Sequence, residues 1–211
     1  IYNKPVLYFP YFFHPDPTVK RQSGFLMPTF QSSNNSGSSL QIPYYKVISE
    51  RKDLTFYPRL FIDNEILLQT EYRQANKSSN LILDFSVNKD SSSTKNHLFV
   101  DLTSKKLNKK IDFHLESVSN DTYLKKNNIK SLIFNDNSTL HSYINYNSFD
   151  NDSELEVTFE VYEDLDKNKT NRYEYIFPNF EYEKNLNASD EIDGELTFNS
   201  RGYNKNYNSN I

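Results

Sequence analysis

Cysteine and tryptophan are both missing from this chain, methionine occurs once, and glycine only four times in 211 residues. Without cysteine there is no thiol nucleophile and no disulfide within the stretch, although the redox compartment stays open. The glycines, Gly24, Gly37, Gly194 and Gly202, are too scattered for a phosphate-cradling loop. No run approaches the ~18 consecutive apolar residues of a membrane helix. Mean hydropathy is low, at −0.78. That value leaves a membrane β-barrel open, because barrel strands turn only one apolar face to lipid. The net charge of −4, with lysines dispersed among acids, gives no reason to expect a nucleic-acid partner. The chain begins at Ile1 without a methionine or a signal peptide and reads as a piece of a longer protein.

What is present is alternation with a period of two. Leu54, Phe56, Pro58, Leu60 and Ile62 fall on one side, with Asp53, Thr55, Tyr57 and Arg59 on the other. Leu81, Leu83, Phe85 and Val87 oppose Asn80, Asp84, Ser86 and Asn88. Leu155, Val157, Phe159 and Val161 oppose Glu154, Glu156, Thr158 and Glu160. Successive strand side chains point to opposite faces, so each segment has one apolar and one polar face. Roughly eleven or twelve such segments occur, joined by polar turns, which predicts an all-β, antiparallel up-and-down meander. Helical signal is confined to a single turn around Asp121–Asn127, capped by Asn120 or Asp121.

Two architectures share this pattern. A secreted or surface β-sandwich that binds carbohydrate or protein has one polar and one apolar face per strand. So does an outer-membrane barrel, and many segments hold the ~9–11 residues a tilted strand needs to cross a bilayer. Tyrosine and phenylalanine, 16 of each, suit strands and interfacial girdles alike.

Candidate chemistry is sparse. The histidines His14, His97, His114 and His141 have no metal-binding spacing. His114 alternates with Asp112 and Glu116 on a polar strand face. Glu154, Glu156 and Glu160 line another, but no nucleophile accompanies them. No catalytic residue, metal or cofactor is expected, and the chain is not read as an enzyme.

Prolines carry the sharper signal. Pro10, Pro15 and Pro17 make a rigid extended connector. Beyond it, Ser23–Pro28 and Leu40–Tyr45 read as adjacent strands that each contain a proline, Pro28 and Pro43. Each proline deletes one ladder donor, so the two strands together predict a weakly paired seam. Pro58 reads as no more than a bulge or local irregularity. Lys20 and Arg21, beside the connector, are candidates to contact phosphates of a lipid or membrane surface.

Residues 13–30 (FHPDPTVKRQSGFLMPTF), 41–61 (QIPYYKVISERKDLTFYPRLF) and 66–74 (ILLQTEYRQ) closely resemble the start of the barrel domain in the LptD family of lipopolysaccharide-assembly proteins, also called the organic solvent tolerance family. The resemblance is dense from about Val6 to Gln74. It implies that residues 1–17 end a periplasmic jelly-roll domain and connector, and that residues 18–211 begin a transmembrane barrel in the cell outer membrane. It also implies lipopolysaccharide transport into the outer leaflet, through a lateral gate whose prolines match Pro28 and Pro43. Gly24, Phe25, Met27 and Ile42 would flank that gate. An LptE-type lipoprotein plug, an LptA-type periplasmic bridge and outer-membrane lipids are the partners it implies. The acid-rich polar faces depart from what a path for anionic lipid leads one to expect.

Overall fold

The computed structural model describes residues 20–33, 37–62, 65–89, 93–134, 136–167, 171–186 and 194–207. The expected jelly-roll tail at residues 1–17 lies outside them. The described chain forms β1 (Gly24–Phe25), β2 (Thr29–Ser33), β3 (Gly37–Gln41), β4 (Tyr44–Ser49), β5 (Lys52–Phe61), β6 (Ile66–Ala75) and β7 (Ser79–Lys89). It continues with β8 (Thr94–Lys106), β9 (Lys109–Val118), α1 (Tyr123–Asn127), β10 (Thr139–Phe149), β11 (Ser153–Asp164), β12 (Tyr173–Leu186) and β13 (Leu196–Tyr207). All thirteen strands join one sheet, and from β4 onward each pairs antiparallel with the next. The predicted meander is therefore the observed one. Because β1 and β2 are halves of one broken strand, and β3 and β4 of another, thirteen strands make eleven passes.

The two faces are used inversely to those of a water-soluble sheet. Leu60 (51%), Ile62 (74%), Leu68 (41%) and Phe85 (40%) are exposed, while Arg59, Gln69, Asp84 and Ser86 on the other face are buried. A sandwich would cover the apolar face with a second sheet, and no second sheet exists among the described residues. Strands β5 to β13 run ten to fourteen residues, long enough to cross a bilayer when tilted. Polar faces become shielded without a covering layer when a sheet curls toward them, as barrel strands do.

The described residues of the connection from β9 to β10, 119–134 and 136–138, provide the rest of that shielding. Asn120 Oδ1 accepts from the backbone N–H and hydroxyl of Thr122, starting the turn that becomes α1. Asn128, in the left-handed region at φ 46°, ends it. The connection then folds over the polar face. Tyr123, Leu124, Ile129 and Phe134 pack there against Phe61, Leu67, Phe99, Leu140 and Leu165. Phe61, Leu67 and Phe99 are the apolar exceptions on otherwise polar strand faces, and they are what the loop covers. A fully buried side chain of this kind contributes about 1.5–3 kcal/mol.

Polar groups finish the docking. The Tyr123 hydroxyl lies 2.5 Å from Ser86 Oγ, and Ser86 Oγ 2.6 Å from His97 Nδ1. Gln69 Nε2 donates to Asp84 and to the Lys130 carbonyl at 2.9 Å. Residues 165–167 and 171–172, between β11 and β12, brace the first connection. Lys125 Nζ reaches Asp166 at 2.7 Å, and Arg172 Nη2 reaches Asp121 at 2.8 Å. The hydrogen bond to Asp121, aided by Glu163, raises the affinity of the Arg172 guanidinium for its proton above the usual.

Candidate functional site

The proline-containing strands meet in one place. The partners Gln41↔Arg59 and Tyr44↔Phe56 set Ile42 opposite Pro58. In such a pair, two residues exchange two bonds. The Ile42 N–H donates to the Pro58 carbonyl at 3.2 Å, but the return bond cannot form because Pro58 has no N–H. One strand over, Gly24↔Tyr45 and Phe25↔Tyr44 set Leu26 opposite Pro43. The Leu26 N–H donates to the Pro43 carbonyl at 2.9 Å, and again the return donor is absent. The register then slips by one, because the next partners are Thr29↔Gln41. Met27 and Pro28 together oppose Ile42, which is a β-bulge. Pairing thus fails at one height across three adjacent strands.

Pro58 is the local irregularity the sequence suggested, on one side of its strand only. It causes no bulge, since its register with β6 runs straight through Pro58↔Leu68. N–H and C=O of one strand residue point to the same side, and the Pro58 carbonyl points to Ile42. Its missing donor is therefore lost from the seam and not from the β6 ladder, so Pro58 belongs with Pro28 and Pro43.

The break is closed at both ends. On one side β2 and β3 pair continuously from Thr29↔Gln41 to Ser33↔Gly37. On the other, Ser23 Oγ accepts from the Val47 N–H at 2.9 Å. Arg21 Nη1 reaches Asp53 Oδ2 at 2.6 Å, and its Nη2 donates to the Glu50 carbonyl. Asp53 also binds Arg73 Nε at 2.7 Å and accepts from the Tyr45 hydroxyl at 3.3 Å. The structure thus engages Arg21 in tying down the chain before β1; Lys20 beside it is exposed.

Around the break the apolar side chains stand open. Phe25 is 76% and Met27 80% exposed, Ile42 is exposed as well, and the Phe25 ring meets Tyr44 edge-on at 5.1 Å. Pro28 is exposed and Pro43 buried. A side chain added at Gly24 would meet nothing within 4 Å, so crowding does not demand glycine there.

The other candidates resolve into pairs within one strand or between neighbouring strands. His114 bonds Asp101 at 3.1 Å and Glu116 at 3.0 Å, while Asp112 turns to Lys110 and Thr103. His141 bonds Glu160 at 2.9 Å, and Glu156 accepts from Asn145. Sequence reasoning missed the inward fold of residues 119–138. Its signal was the set Tyr123, Leu124, Ile129 and Phe134, apolar groups in a connection otherwise rich in lysine and asparagine.

A single antiparallel sheet with an exposed apolar face, a buried polar face and a broken first hairpin defines a portion of a β-barrel. Residues 1–193 match the LptD protein family, and the chain belongs to it. It is 32% identical over 130 residues to the LPS-assembly protein LptD of Idiomarina loihiensis, covering 59% of this chain and 17% of that protein. The LPS-assembly protein LptD of Pseudomonas entomophila is 43% identical over 75 residues, 36% of this chain and 8% of its own length. That of Pseudomonas aeruginosa is 39% identical over 80 residues, 38% of this chain and 8% of its own. The chain therefore corresponds to a small part of these relatives.

Proposed function

We propose that this chain forms the N-terminal strands of an outer-membrane barrel that inserts lipopolysaccharide into the outer leaflet. In this reading the seam at Pro28, Pro43 and Pro58 is part of a lateral gate. Residues from about 18 onward belong to the barrel, and residues 1–17 to the end of a periplasmic jelly-roll. The observation that carries the reading is the pairing failure itself. A barrel wall in hydrocarbon should satisfy every backbone group, because each orphan costs several kcal/mol. Here two carbonyls, those of Leu26 and Ile42, lose their partners side by side, next to the exposed Phe25 and Met27.

The mechanism is one of passage. Glycolipid arrives from a periplasmic LptA-type bridge and leaves sideways where the wall zips poorly, while an LptE-type lipoprotein occupies the complete barrel. No bond in the lipid is made or broken by this chain. Acyl chains can enter the membrane past Phe25, Met27 and Ile42 as the weak pairs separate. The test places photo-crosslinking residues at Phe25, Met27 and Ile42 of the full-length protein in living cells. Capture of lipopolysaccharide at these positions, and not at Val157 or Phe159 on the distant β11, is the expected result. Equal capture at both places, or none at the seam, overturns the gate.

A further inference from the structure

Arg59 is an anomalous charge among the described residues. It follows Pro58 on β5, is 3% exposed, and has no ion-pair partner among the described residues. One nitrogen, Nη1, donates to the carbonyl of Asn127 at the end of α1, which neutralises little of a full charge. Its Nε has no hydrogen-bond partner among the described residues. Burying an uncompensated cation is costly, and proteins do so where a counter-charge arrives.

Arg59 lines a cavity of about 470 Å³ between the polar face and the docked connection. Leu26 of the broken pair forms part of its wall, so cavity and seam are contiguous. Lys130 and Arg73 contribute two more cations, and the Tyr57 and Thr55 hydroxyls add polar lining. The cavity's one carboxylate, Glu71, is faced by Arg73 at 3.5 Å. The volume falls in the ~300–1,000 Å³ range of small-ligand sites. That is room for a phosphorylated sugar and not for a whole lipid.

We propose that this cavity, through Arg59 and Lys130, binds the phosphate monoester of the sugar headgroup while the acyl chains face the proline seam. The assignment rests on the glycolipid reading above and names the subsite that reading lacks. It also gives the anionic headgroup a cationic station on an otherwise acid-rich face.

The test uses the full-length protein in its native complex with two probes, lipid A and the same lipid after phosphatase treatment. Arg59→Gln and Lys130→Gln should each weaken binding of phosphorylated lipid roughly tenfold or more, the loss of one charge-assisted bond. Binding of the dephosphorylated lipid should not change. Lys130→Gln leaves the Arg59–Asn127 bond intact, so it separates the subsite from simple undocking of the connection. Equal loss for both lipids in Arg59→Gln, with no effect of Lys130→Gln, makes Arg59 a loop anchor and overturns the proposal. Displacement of phosphorylated lipid by millimolar inorganic phosphate reassigns the site to the free anion and overturns it too. If lipopolysaccharide still crosslinks at Phe25 and Met27 while neither variant distinguishes the probes, only the subsite fails. Absence of those crosslinks removes the glycolipid reading itself.

Discussion

Restoring the two missing donors should close the seam by a calculable amount. In Pro43→Val with Pro58→Val, the residue 43 N–H gains the Leu26 carbonyl and the residue 58 N–H gains the Ile42 carbonyl. The carbonyl positions already exist, because each proline sits in a pair whose other bond measures 2.9 or 3.2 Å. A net bond is worth about 0.5–1.5 kcal/mol in water, and two are worth about 1–3 kcal/mol. A seam that opens as a two-state element would then open about 5- to 150-fold less often. Hydrogen exchange at the Leu26 and Ile42 amides reads that equilibrium directly, and lipopolysaccharide delivery to the cell surface should slow in parallel. Valine also frees the unfolded chain, which offsets a few tenths of a kcal/mol in global stability, so the local amides are the proper readout. Unchanged exchange at both amides, in a variant that still assembles, would refute the reasoning.

Other outcomes follow from the same geometry. Leu124→Ala removes a fully buried anchor and should weaken docking of residues 119–138 by about 2–5 kcal/mol, seen as faster protease cleavage within that connection while the strands stay protected. Asp53→Asn strips Arg21 and Arg73 of their shared partner. Because both arginines are nearly half exposed, the cost should be about 1–2 kcal/mol, confined to loosening of the chain before β1 and detectable by exchange at Val47. Asp136 accepts the Ser138 backbone N–H and hydroxyl, which holds its carboxyl below the usual range. Its contribution is present above the ordinary aspartate pKa of ~3.9 and is lost as pH falls through the lower folded value. Protection of the Ser138 amide should follow that titration, and Asp136→Asn should abolish it.

Much of the fold was legible because strand periodicity is a local property. The alternation of Leu155, Val157, Phe159 and Val161 with Glu154, Glu156 and Glu160 specifies a strand and its faces before any partner is known. What alternation does not state is which face ends up buried, since a sandwich and a barrel read alike from one strand. Resemblance carried by Val6–Gln74 settled which pattern to expect, and the exposure of Leu60, Ile62 and Phe85 agrees with it. The seam was half legible. Pro28 and Pro43 stood out as prolines in strands, but the direction in which Pro58 faces depends on the carbonyl that Ile42 uses, which is a matter of register. The inward fold of residues 119–138 was hidden for another reason. Its apolar groups follow no regular period, and their partners Phe61, Leu67 and Phe99 look like lapses in alternation until the loop is laid over them.

Having the oily side outward inverts the map of mutational tolerance. Trimming Leu60 or Phe85 opens no internal void, so such changes should be nearly silent in detergent and matter only in a bilayer. Conservative swaps among Gln69, Asp84, Ser86 and His97, harmless on most surfaces, strike the interlocked interior. A surveyor who expected hydrophobic positions to be the fragile ones would draw this protein inside out.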